Sequence, residues 1–110
     1  MAGVDEYRTY IQELMQRYSS YKEDKEVETQ LIFDREHDHY QLLYTGWREE
    51  ERIYGCVMHM DIKNGKIWIQ YDGTDFDLAN ELVSMGVPKE DIVLAFHPPY
   101  KRPYTGFGVN

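Results

Sequence analysis

With 110 residues, 42% hydrophobic and 29% charged, the chain has the make-up of one globular domain spanning 1–110, which excludes a disordered class. Twenty acidic against twelve basic side chains leave a formal charge of −8, which repels phosphate backbones and argues against strong DNA binding by the chain alone. The lone Cys56 excludes an internal disulfide and points to a reducing, cytoplasmic setting.

Residues 1–96 hold all twenty acids and ten basic side chains, a charge of −10, and the last fourteen residues carry +2. This balance suits a partner that is a protein, including a basic one, better than a nucleic acid. No run approaches the ~20 apolar residues of a membrane span, so no membrane association is expected. Asp5 and Glu6 stand where an export signal would be positive.

Residues 4–21 read as a helix, since Val4, Tyr7, Ile11, Leu14, Tyr18 and Tyr21 recur at spacings of three and four. Tyr10 and Met15 widen this stripe, and Arg8, Gln12, Glu13, Gln16 and Arg17 fill the opposite face. Ser19, Ser20 and Lys22–Lys25 then break the pattern. A first strand is predicted over Val27–Phe33, with Val27, Leu31 and Phe33 on one face and Glu28, Gln30 and Ile32 on the other. Asp34–His39 turns the chain into a second strand, Tyr40–Trp47, and Arg48–Glu51 leads into a third, Ile53–Lys63.

Asn64-Gly65 is a strong hairpin signal, because a type I′ turn needs two residues that tolerate positive φ. It predicts a fourth strand, Lys66–Tyr71, with Ile62 facing Ile67, Met60 facing Ile69 and Met58 facing Tyr71. The other face then carries Lys63 opposite Lys66, Asp61 opposite Trp68 and His59 opposite Gln70. Cys56 falls in phase with Tyr54, Met58 and Met60, as a small hydrophobe on the apolar face.

Thr74 or Asp75 is the expected cap of a second helix, with Asp77 in its first turn and Leu78, Ala79, Leu82, Val83 and Met85 on its apolar side. Gly86 ends it in the left-handed conformation and Pro88 opens a single turn. Ile92–Phe96 reads as a short edge strand, and His97–Asn110, with three prolines and two glycines, as an extended tail. The fold class is therefore α+β: an N-terminal helix, a four-stranded antiparallel meander, a second helix and a short C-terminal strand or tail. Both helices cover the face that bears Met58, Met60, Ile62, Ile67, Ile69 and Tyr71.

The segments YRTYIQELMQRY, QLIFDREHDHYQLLYTGW, RIYGCVMHMDIKNGKIWIQ and ELVSMGVPKEDIVLAFHPPYKRPYTGF together resemble the XisI family, the fdxN element excision controlling factors of cyanobacteria. The last block is the most specific. The resemblance implies a small α+β protein that assists excision of a DNA element by a separate site-specific recombinase, alongside a nuclease-like companion, XisH. It carries no catalytic motif, so it transfers no functional residues.

The candidate sites are correspondingly modest. His59 and Asp61, two apart on one strand, share a face with Gln70 and Trp68, as an acid–base pair or half a metal site would. A third ligand is not assured, so they are read as surface or interface residues. His37-Asp38-His39 has a chelating spacing but reads as a polar turn. His97, Tyr100, Lys101, Arg102 and Tyr104, with Phe107, interleave rings with the only basic excess, and are read as packing contacts ahead of a base-stacking segment. No phosphate loop, nucleophile motif or paired-cysteine zinc signature is present.

The expectation is thus a protein without catalysis, cofactor or metal. Trp68, with Asp61, His59 and Val57 and next to Trp47 and Leu43, is expected to project from the uncovered sheet face and to anchor a homodimer. Protein partners are expected in the recombinase complex. The alternative is an acidic, antitoxin-like or immunity-like partner of the XisH-like companion.

Overall fold

The computed structural model of the protein describes residues 3–21 and 24–110. In chain order it contains helix α1 (Val4–Tyr21), strands β1 (Val27–Asp34), β2 (His39–Arg48), β3 (Glu51–Lys63) and β4 (Lys66–Asp72), and helix α2 (Leu78–Met85). A 3-10 turn (Lys89–Asp91), strand β5 (Ile92–Leu94) and a 3-10 segment (Pro99–Tyr104) complete it. The sheet order is β1-β2-β3-β4-β5. The first four strands form the expected antiparallel meander. The fifth lies parallel to β4, because α2 carries the chain back to the start of that strand.

Asn64 and Gly65 both have positive φ, 55° and 75°, as a type I′ turn requires. Ile62 accordingly faces Ile67, and Met60 faces Ile69. Beyond that pair the register slips by one residue, and His59 faces Tyr71 while Met58 faces Asp72. Gln70 is the extra residue of a β-bulge, which reverses the in–out alternation after it. Tyr71, expected beside Met58 in the core, therefore lies on the opposite face and is 51% exposed.

A second bulge sits between Leu42 and Leu43, which face Met58 and Cys56. Val57 is the surplus residue here. Cys56 is thereby moved off the apolar face and is exposed, whereas Val57 packs partly buried against the core. Neither bulge has a signature in residue type that hydrophobic alternation alone would reveal.

Both helices pack on one face of the sheet. Tyr7, Ile11, Leu14, Met15 and Tyr18 of α1, and Leu78, Ala79 and Leu82 of α2, form one cluster with Tyr40, Leu42, Met58, Met60, Ile67 and Ile69. Each such large side chain contributes about 1.5–3 kcal/mol by leaving water. Helix α1 runs to Tyr21; of the predicted break after it, Lys22 and Glu23 lie outside the described residues.

Polar contacts fix where the helices sit. Arg8 reaches from α1 to the β1–β2 turn and grips Asp38 through Nε at 2.7 Å and a terminal nitrogen at 3.0 Å. The Tyr40 hydroxyl donates to the same carboxylate at 3.0 Å. Arg8 holds the Asp38 carboxyl below its ordinary pKa, and burial, followed by the bond to Asp38, pushes the Tyr40 hydroxyl up to about 12. The Tyr7 hydroxyl bonds to Asp91, and those of Tyr18 and Tyr44 meet at 2.7 Å.

Helix α2 starts later than expected. Its N-cap is Asp77, which accepts from the Asn80 amide. Thr74 is engaged with the Asp72 carboxylate instead, and Phe76 is turned edge-on to Tyr18. Gly86, at φ 112°, ends the helix as expected.

Candidate functional site on the second sheet face

The face away from the helices divides into two unlike halves. Over β4 and β5 it is covered by the C-terminal tail, which is folded back and not extended. Arg102 donates to the carbonyls of His97 at 3.0 Å and Ala95 at 3.3 Å, which closes the 3-10 segment onto the sheet. Gly108 bridges in parallel to Val93, and its amide donates to the Ile92 carbonyl at 2.7 Å. A Cβ on Gly108 would come within 2.6 Å of the Glu90 carbonyl oxygen, so only glycine permits this approach.

The folded tail overturns the expected role of Trp68. It faces Val93 on β5, and both are buried, Trp68 at 8% exposure. Neither belongs to the helix-side cluster. The Lys63 ammonium lies 4.4 Å from the ring centroid and the Arg102 guanidinium 5.5 Å. The indole N–H donates to the Lys63 carbonyl at 3.1 Å. Trp68 is thus an internal anchor for the tail, with no exposed ring to offer a partner. Tyr100 and Tyr104 remain largely exposed, Lys101 is exposed, and Arg102 and His97 are half-buried.

Over β1–β3 the face is open. Ile32 (43% exposed), Tyr54 (68%) and Trp47 (55%) project from three strands, with Leu43 and Cys56 facing each other between them. Arg52 lies over both Trp47 and Tyr54, its guanidinium 5.5 Å and 5.7 Å from their centroids. Glu28, Gln30, Gln41 and Thr45 lie among them, so the face is mixed, and its aromatic and arginine groups are of the kinds enriched at interface cores. At the β2–β3 turn this face ends in a run of exposed carboxylates, Glu49, Glu50 and Glu51, with Glu26 alongside.

Between the open and covered halves lies a polar cluster. Asp61 Oδ1 is 2.9 Å from His39 Nδ1 and 2.9 Å from His59 Nε2. Its Oδ2 accepts from the Gln70 amide at 3.1 Å. His39 reaches this position because the β2–β3 register sets it directly opposite Asp61; ordinary alternation after Ile69 puts Gln70 on the same face. The bond to Asp61 raises the pKa of His39. The ligand atoms of His39, His59 and Asp61 all lie within 4.8 Å of one another.

His37 does not join them. It pairs with Asp34 across the β1–β2 turn, at 2.9 Å, so the two histidines of the H-x-H motif serve different carboxylates. The β2–β3 register links His39 to Asp61, and the Glu49-Glu50 turn that sets this register lacks the Asn-Gly type of residue that would announce it. At Cys56, partial desolvation raises the thiol pKa, the reverse of what an activated nucleophile requires. A partly open cleft lined by Asp24, Val27, Thr29, Tyr44, Arg48 and Ile53 holds about 130 Å³, below the ~300–1,000 Å³ of small-molecule sites. No helix among the described residues is long and apolar enough to cross a membrane.

These features define a small α+β protein with one helix-covered sheet face and one partly open face. The XisI protein family model matches residues 1–109. The chain belongs to the XisI family. A solved XisI-like protein from Anabaena variabilis ATCC 29413 is 51% identical, superposes with a TM-score of 0.90, and is matched over 96% of this chain and 97% of its own. The fdxN element excision controlling factor XisI from the same organism is 36% identical, with a TM-score of 0.84 over 94% of this chain and 96% of its own. No curated protein sequence matches the chain.

Proposed function

We propose that this protein is a non-enzymatic controlling factor for site-specific excision of a DNA element, acting through protein–protein contacts. The name of the Anabaena variabilis relative, an excision controlling factor, supports the process. The open β1–β3 face supports the mode of action, and it is the observation that carries the reading. Its simplest occupant is a second copy of the chain in a two-fold dimer, since strands and rings of one sheet face complement themselves under that symmetry. A charge of −8 supports the absence of strong DNA binding by the chain alone.

The experiment is co-purification from native extract with the wild type and with a Trp47→Ala/Tyr54→Ala variant. Recovery of recombinase components by the wild type alone supports the reading. A gel shift in which the pure protein binds duplex DNA sequence-selectively below about 1 µM refutes it, because an acidic chain should stay in the non-specific range of about 10⁻⁴ M or weaker.

A second reading is favoured by the carboxylate tip of Glu49, Glu50, Glu51 and Glu26. An acidic edge beside exposed aromatic rings suits restraint of a basic, nuclease-like companion of the XisH type, as antitoxins and immunity proteins act. Recovery of that companion in place of recombinase components, weakened by charge reversal at the tip, would establish this reading.

A further inference from the structure

We infer that His39, His59 and Asp61 form a binding site for a first-row divalent cation such as zinc, with Gln70 orienting the carboxylate. One imidazole nitrogen from each histidine is aimed at the same oxygen, Asp61 Oδ1, both at 2.9 Å. Two rings converging on one carboxylate oxygen bring three donors of the types that bind zinc to one point. They come from adjacent strands, which hold them more firmly than a loop would.

The fit requires only a small adjustment. Tetrahedral zinc with bonds of about 2.0–2.2 Å separates its ligand atoms by about 3.3–3.5 Å. Each nitrogen–oxygen gap must therefore open by about half an ångström from its present 2.9 Å, and the two nitrogens must settle at a similar spacing within their 4.8 Å limit. The His39 side chain is 59% exposed, which leaves its ring free to swing, whereas that of Asp61 is 15% exposed and fixed. On binding, each coordinating nitrogen must be free of hydrogen. A neutral ring meets this by carrying its proton on the other nitrogen, and a charged ring by releasing one to solvent.

The Gln70 amide on Oδ2, at 3.1 Å, supplies the outer contact that holds a ligating carboxylate in orientation. Three protein donors leave a fourth tetrahedral position. The 59% exposure of the His39 side chain leaves that position to water or to a donor from a docked protein. The site is therefore of the open kind and not a closed structural site.

The test uses the full chain, stripped with chelator and titrated with zinc chloride in a calorimeter near neutral pH, with circular dichroism to confirm that each variant is folded. One equivalent should bind. His39→Ala, His59→Gln and Asp61→Asn should each weaken it at least about tenfold, and Gln70→Ala by about 10- to 100-fold, the usual loss for an outer-shell contact. His37→Ala and Cys56→Ser, outside the cluster, should leave affinity unchanged. Cobalt(II) in place of zinc should give visible absorption that is lost in Asp61→Asn. The inference is overturned if no stoichiometric binding occurs at about 0.1 mM metal, or if binding persists in a His39→Ala/His59→Gln double variant.

Discussion

Trp68→Ala should unfold the tail and weaken the whole protein, because the ring is the piece on which the C-terminal segment is built. At 8% exposure its loss is that of a buried aromatic, about 3–5 kcal/mol for truncation to alanine. Two cations over the ring, at 4.4 Å and 5.5 Å, add about 0.5–1 kcal/mol each if they behave as exposed pairs do. Trp68→Phe keeps most of the apolar area and removes the N–H bond to the Lys63 carbonyl, so it should cost less, about 1–2 kcal/mol. The assay is urea titration followed by circular dichroism. A Trp47→Phe background leaves Trp68 as the sole indole, and its emission should be blue-shifted and shielded from acrylamide. Gly108→Ala, which forces a Cβ against the Glu90 carbonyl, should expose that emission without touching the ring. A loss under about 1 kcal/mol for Trp68→Ala, measured against the cost expected of a buried ring, would refute the reasoning. So would fully quenchable Trp68 emission in the Trp47→Phe background.

Three further outcomes are expected. The wild type should scatter light as a dimer, and Trp47→Ala/Tyr54→Ala should be monomeric but folded, since neither ring is in the core; a monomeric wild type would remove self-association from the reading. Arg8 holds the Asp38 carboxyl low, so this pair stabilises the fold above the ordinary carboxylate range and loses its effect as pH falls through the lowered folded value. Carbon-detected NMR titration of Asp38 should show a midpoint below the usual range in the wild type and a return upward in Arg8→Gln. Glu49 holds φ 55° at the β2–β3 turn, a strained value for a side chain of its kind, so Glu49→Gly should gain up to about 1 kcal/mol in thermal or chemical denaturation.

Much of this fold was legible in the chain itself, for a local reason: a turn residue or a periodicity acts within a few positions of its own effect. Asn64-Gly65 dictated the β3–β4 turn and its first pairs, the three-and-four spacing from Tyr7 to Tyr18 dictated the buried stripe of α1, and Gly86 dictated where α2 stops. The features that were not legible depend on contacts far apart in sequence. The bulges at Gln70 and Val57 reverse the alternation that assigns faces, and they moved Tyr71 and Cys56 out of the core. The tail appeared extended because prolines and glycines bar regular helix and strand. Only tertiary packing shows Arg102 and Gly108 closing it over Trp68, which turns an expected surface anchor into an interior one. His39 joins His59 and Asp61 through strand pairing twenty-two positions away, a juxtaposition that no local pattern encodes and that the folded sheet alone decides.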